Sequence, residues 1–116
     1  MSVFELMHTS KGLAGFYLPS VIGKKFVSLR EIVRLEGRRN YTLFILKCGK
    51  EVMVSRTIGL FEMSLPSSFV RVTRGCIINL DYLATAETGV YQLKDGFKVV
   101  AARRRIKQLD AISVAA

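Results

Sequence analysis

Turn signals recur along this chain from Gly15 onward: at Gly23-Lys24-Lys25, Gly37-Arg38-Arg39-Asn40, Gly49-Lys50, Gly89 and Asp95-Gly96. The segments between them are short and rich in aliphatic, aromatic and β-branched residues, which is the pattern of a succession of strands. Residues 26–29, 41–47, 51–55, 82–88, 90–94 and 97–102 read as such strands. Residues 16–22 contain Pro19, which cannot donate to a ladder and restricts the segment to an edge or a bend. Gly49-Lys50 and Asp95-Gly96 read as hairpin turns, the latter a strong two-residue signal. The chain is therefore expected to be mainly β.

Three segments depart from this pattern. Residues 30–36 fit a helical turn that continues as a strand. In residues 57–65, Ile58, Phe61 and Leu65 fall on one helical face; Thr57 or Ser55 is placed to cap the start, and Pro66 stops the helix. Ile106, Leu109 and Ile112 repeat the helical spacing, giving a second short helix over residues 103–112. Residues 1–15 are weakly patterned and read as a loose lead, followed by one domain over 16–116.

The stretch from Phe69 to Asn79 carries the most chemistry. Its period-two alternation predicts a strand with one face buried and one exposed, turning at Gly75, with Arg71 and Arg74 near the turn. The planar guanidinium fork pairs bidentately with phosphates and with guanine edges. Two further basic loops accompany it: Arg38-Arg39, flanked by Asn40 and Tyr41, and Arg103-Arg104-Arg105 with Lys107. An Arg-Arg pair in a turn is also an ordinary solvated feature, and Arg71 has the alternative of pairing with a carboxylate on a neighbouring strand. The arginine triplet precedes a helix, where cations are electrostatically unfavourable unless an anion arrives from outside.

Charge and composition narrow the functional classes. Eighteen Lys plus Arg against nine Asp plus Glu give a formal charge of +9, which favours a polyanionic partner, nucleic acid foremost. No apolar run reaches the roughly 18 residues of a membrane span, and no signal-peptide layout precedes the domain, so a cytoplasmic setting and no membrane partner are expected. Cys48 and Cys76 read as reduced thiols. With one histidine, His8, and no Cys-x-x-Cys, no metal site, no cofactor and no catalytic residues are expected. The acidic residues are scattered, and the apolar surroundings of Cys76 would raise its pKa.

With these loops placed, the chain resembles LytTR DNA-binding domains, the output module of many bacterial response regulators. The resemblance runs from about residue 16 to residue 110. It is carried by Glu36-Gly37-Arg38-Arg39-Asn40-Tyr41, by the serine-led short helix from Ser55 to Leu65-Pro66, and by Phe69, Arg71, Arg74, Ile77 or Ile78, and Asn79. Asp95-Gly96 and Arg103-Arg104 complete it. It implies an elongated fold of about ten mostly antiparallel strands with two short helices, whose loops enter successive major grooves. Base contacts would then come from Arg39, Thr42, Thr73, Arg74 and Arg104, and phosphate contacts from Arg38, Asn40, Arg71, Arg103, Arg105 and Lys107. Asn79 would hold the strand-to-turn geometry.

The chain has Thr73-Arg74-Gly75 where family members commonly have His-Arg-Ser, and Ala102-Arg103 where they have Ser-Arg, which removes hydrogen-bonding groups beside DNA. No receiver domain is read ahead of the module in this sequence, so the expectation is a stand-alone regulator, with a fragment cut from a longer regulator as the alternative. The expected function is sequence-specific double-stranded DNA binding in transcription, on direct-repeat sites, by a monomer or weak dimer paired on DNA. Two alternatives stand beside it. One is a protein-interaction module with a signalling partner. The other is a single-stranded nucleic-acid-binding β domain stacking bases on Tyr17, Tyr41, Tyr82 or Tyr91.

Overall fold

The structure, a computed structural model, describes residues 6–9 and 12–102. Two three-stranded antiparallel sheets flank one central five-stranded antiparallel sheet. The first comprises β1 (Met7–His8), β2 (Ala14–Ser20) and β3 (Gly23–Ser28), in that order. The central sheet is built from β4 (Ile32–Arg38), β5 (Tyr41–Leu46), β6 (Glu51–Val54), β7 (Phe69–Thr73) and β8 (Cys76–Asn79), ordered β6-β5-β4-β8-β7. The third contains β9 (Leu83–Glu87), β10 (Val90–Leu93) and β11 (Lys98–Val100), with β10 in the middle. A short helix, α1 (Ile58–Glu62), connects β6 to β7, and 3-10 turns at Leu29–Glu31 and Leu80–Tyr82 lead into β4 and β9. Principal dimensions of 43 × 33 × 28 Å give the longer axis expected of the mainly β fold.

Strand alternation sends successive side chains of the central sheet into two separate cores. Ile32, Leu35, Phe44, Phe69 and Ile77 face the first sheet and α1, together with Phe16, Leu18, Ile58 and Phe61. Val33, Val70, Val72, Cys76 and Ile78 face the third sheet, meeting Tyr91, Leu93 and Ala101. The centre of the first core is a triangle of edge-to-face rings. Phe44 and Phe61 are 4.9 Å apart, Phe16 and Phe61 5.7 Å, and Phe16 and Phe44 6.1 Å. That triangle ties β2 and β5 to the helix.

Several local expectations shift. Residues 6–9 are not a loose lead, because β1 pairs with Gly15 and Ala14 and Leu6 packs against the first core. The turn expected at Gly23-Lys24-Lys25 lies earlier, at Val21-Ile22. Gly23 begins β3 with φ +100, and this left-handed residue closes the turn. The Asp95-Gly96 hairpin uses three residues, not two, since Leu93 N–H donates to Phe97 O across Lys94, Asp95 and Gly96. Thr57 occupies the N-cap of α1 but makes no side-chain capping bond, and the α-helix ends at Glu62, ahead of Pro66. Pro19 sits on the half of β2 that β1 does not reach, so it costs no ladder bond to β1. The second expected helix lies outside the described residues.

The largest correction concerns β7. Instead of one exposed face it is covered on both, with Phe69 and Val70 buried on opposite sides. The face carrying Arg71 is shared with Phe69 and lies under α1, and Arg71 is opposite Ile77 in register. Asn79, buried at the end of β8, donates to Ile32 O (2.8 Å) and Leu29 O (3.4 Å) and accepts from Asp81 N–H (3.0 Å). It holds the strand-to-turn geometry as expected.

Candidate nucleic-acid interface

Two of the three basic loops meet because β4 and β8 are neighbours. The antiparallel pairing of Glu36 with Cys76 sets the β4–β5 turn, Arg39-Asn40, beside the β7–β8 turn, Arg74-Gly75. Gly37 N–H donates to Gly75 O at 2.8 Å and joins the two turns directly. Glycine suits position 37 sterically, since a Cβ there would stand 3.1 Å from Ile58 Cγ2 and 3.5 Å from Gly75 Cα. Ala102, the last described residue, lies beside β7, its N–H donating to Val72 O at 2.8 Å, next to Thr73. Arg103, Arg104, Arg105 and Lys107 lie outside the described residues.

Between the turns and the start of α1 is an open hollow of about 430 Å³, lined by Arg39, Arg71, Arg74, Thr57 and Gly59 among others. Arg39 and Arg74 are exposed at its rim. Arg39 has φ +56, a left-handed conformation that glycine or asparagine takes more readily than arginine. Asn40 is exposed beside it. Thr73 is half-buried, and its Oγ1 accepts Gly75 N–H at 3.2 Å, leaving the hydroxyl proton for another partner.

Glu36 organises the basic residues of β4. Its carboxylate accepts from Arg34 Nε and from Arg38 Nη2, both at 2.8 Å. Burial pushes the Glu36 carboxyl up, but these two hydrogen bonds and the accompanying charges outweigh it and hold the group below its ordinary range. Arg34 continues the network to Asp95 at 3.0 Å and stacks 3.7 Å over the Phe97 ring, tying the central sheet to the third. Arg38 remains 59% exposed on its side chain and keeps most of its guanidinium accessible.

Two expected contact residues are placed differently. Thr42 is fully buried, with its hydroxyl donating to Arg56 O at 2.7 Å, so its side chain is not on the basic surface. Alternation from exposed Tyr41 turns it inward. Arg71 is 15% exposed; its Nη1 donates to Glu62 Oε1 at 2.9 Å, and its Nε and Nη2 donate to Arg74 O. The carboxylate partner left open by the sequence is thus on α1, not on a neighbouring strand. Conversely, sequence reasoning passed over Arg56. Val54 pairs with Thr42, so the loop after β6 carries Arg56 to the Arg39 end of the sheet. Its signal was a lone arginine directly after a predicted strand.

The remaining chemistry is sparse. Cys48 is exposed and Cys76 buried, and neither is in a disulfide. Burial and the nearby Glu36 carboxylate push the Cys76 thiol up to about 12, which removes its nucleophilic form at neutral pH. The tyrosines do not converge. Tyr91 is buried and Tyr82 donates its hydroxyl to Arg30 O, while exposed Tyr17 and Tyr41 stand on different sheets. Among the described residues no cluster of three or more His, Cys, Asp or Glu fits a metal ion, and no helix is long and apolar enough to cross a membrane.

Comparison with known proteins agrees with the fold. A family model described as the LytTr DNA-binding domain matches residues 23–113. Among solved structures, the chain is similar to the LytTr DNA-binding domain of a protein described as a methyl-accepting/DNA response regulator from Bacillus cereus. The TM-score is 0.66 at 16% identity, covering 94% of both chains, which is a likeness of fold. A search of curated proteins found no match. With the family pattern spanning most of its length, this chain belongs to the LytTR family of DNA-binding domains.

Proposed function

We propose that the chain is a sequence-specific transcriptional regulator that reads double-stranded DNA through loops inserted in successive major grooves. The observation that carries this reading is the joining of the Arg39 and Arg74 turns through the Gly37–Gly75 hydrogen bond at one end of the central sheet. In this reading Arg39, Thr73, Arg74 and Arg104 reach base edges, while Arg38, Asn40, Arg103, Arg105 and Lys107 neutralise phosphates. Phosphate contacts position the domain and base contacts select sequence. Arg56 joins the phosphate group on the strength of its place beside the Arg39 turn. Target sites would be direct repeats in cytoplasmic DNA, occupied by paired monomers.

The test is binding of random-sequence duplexes at moderate salt, followed by selection and sequencing of the bound fraction. Enrichment of a short repeated motif supports the reading. Binding without enrichment would reduce the arginines to phosphate contacts, and no binding would redirect attention to a protein partner. On a selected site, Arg74→Ala is expected to cost about 1–3 kcal/mol, with little loss on a scrambled duplex. Equal loss on both duplexes would instead assign Arg74 to a phosphate.

A further inference from the structure

We infer that Glu62 and Arg71 form a clamp that sets the direction of Arg74, making both of them positioning residues for base recognition. This rests on the reading of Arg74 as a base contact.

Arg71 is committed internally. Three of its guanidinium nitrogens donate to protein acceptors, two to Arg74 O and one to Glu62 Oε1. The side chain lies on the α1 face of β7, close over Gly59: a Cβ built on that glycine would be 3.7 Å from Arg71 Nη1. Only 15% of the side chain is exposed, whereas Glu62 is 41% exposed. Seating a phosphate on Arg71 would break bonds already made.

The bonds converge on a single peptide unit. Arg74 C=O is held by Arg71, and the N–H of the same peptide, on Gly75, donates to Thr73 Oγ1 at 3.2 Å. The turn has only these two residues between Thr73 and Cys76, and Gly75 O is held in turn by Gly37 N–H. That peptide plane and the Thr73 end of the turn, paired with Cys76, are both held, which restrains the backbone on either side of the Arg74 Cα and so the direction in which its Cα–Cβ bond leaves the turn. Recognition gains when a contact is pre-oriented instead of ordered during binding. Glu62 anchors the clamp from α1, so the helix contributes to recognition without touching DNA.

Simple electrostatics and the clamp make opposite predictions for Glu62. Removing a carboxylate near DNA should strengthen binding to every duplex. The clamp predicts that Glu62→Ala weakens the selected site about tenfold and leaves scrambled duplex unchanged or slightly tighter. Glu62→Gln keeps an oxygen acceptor for Arg71 Nη1 and should retain discrimination close to wild type. If Ala and Gln variants behave alike, or if both bind tighter, the clamp is wrong.

Arg71→Lys keeps the charge but replaces the planar fork by a single nitrogen, which does not reproduce the three bonds to Arg74 O and Glu62. It should lower discrimination while leaving the salt dependence intact; a change confined to that dependence would make Arg71 a phosphate contact. Amide exchange at Gly37, measured without DNA, should quicken severalfold in Glu62→Ala, and an unchanged rate would overturn the clamp. Should the wild-type chain bind no duplex, the DNA reading falls and takes the recognition role of the clamp with it. The exchange rate still reports separately whether Glu62 holds the turn.

Discussion

Arg39 combines an exposed guanidinium with a left-handed backbone, φ +56, that its Cβ disfavours. Non-glycine residues held in such conformations cost on the order of 1–3 kcal/mol and cluster where a side chain is needed. Arg39→Gly is therefore expected to stabilise the fold by about 0.5–1 kcal/mol in thermal melts while weakening binding to the selected duplex. A variant that loses both stability and affinity would show that the turn relies on the arginine side chain itself. Glu36 gives a pH prediction. Its folded carboxyl lies below the ordinary 4.5, so its contribution to stability is complete above that value and is lost as pH falls through the folded value. Glu36→Gln should lower stability at neutral pH and flatten the acid decline below 4.5, as read by denaturant titrations across that window. An acid limb unchanged by the substitution would assign the decline to other carboxylates.

Among the elements, the pairing of β2 with β3 has little tolerance. A Cβ on Gly15 would stand 2.2 Å from Val27 O and 2.8 Å from Ser28 Cα, both backbone atoms of the adjoining strand. Those atoms cannot rotate away as a side chain would. Gly15→Ala should separate the first sheet from its register and cost roughly 2–4 kcal/mol in chemical denaturation. A cost below 1 kcal/mol would mean that the strands part without disturbing Phe16, which locks β2 to Phe44 and Phe61. Helix α1 illustrates how packing outranks local signals. It spans five residues, too few for independent stability, and lacks a side-chain cap. Ile58 and Phe61 buried in the first core hold it in place, and Glu62 faces Arg71 as a consequence.

Across the whole molecule, a formal charge of +9 is distributed so that basic turns gather at one end of the central sheet. Such an arrangement makes affinity depend steeply on salt, with log K falling by about 0.9 per log unit of salt for each neutralised phosphate. Arg38→Ala is expected to reduce that slope by about 0.9, uniformly over selected and scrambled duplexes. Glu36 retains Arg34 in that variant, so the fold should be little affected. An unchanged slope would place Arg38 off the DNA and leave it a partner of Glu36 alone.

The strand in residues 41–47, the hairpin turn at Gly49-Lys50 and the turn at Gly75 were legible in the sequence, because each is set by side chains acting on their own backbone or immediate neighbours. The same local chemistry placed Arg39 and Arg74 in turns. The position of Val21-Ile22 was not legible: β-branched residues favour strands, yet the left-handed Gly23 sets this pair at the tip of a hairpin, 99% and 93% exposed. Nor was the adjacency of β4 and β8, which joins the two arginine turns, since strand pairing across 40 residues of chain depends on which apolar faces fit together. Burial of Thr42 and the capture of Arg71 by Glu62 follow from what packs over each strand. The sequence by itself determined strands, turns and charge; tertiary structure decided which arginines face outward, because exposure belongs to the assembled layers and not to any residue alone.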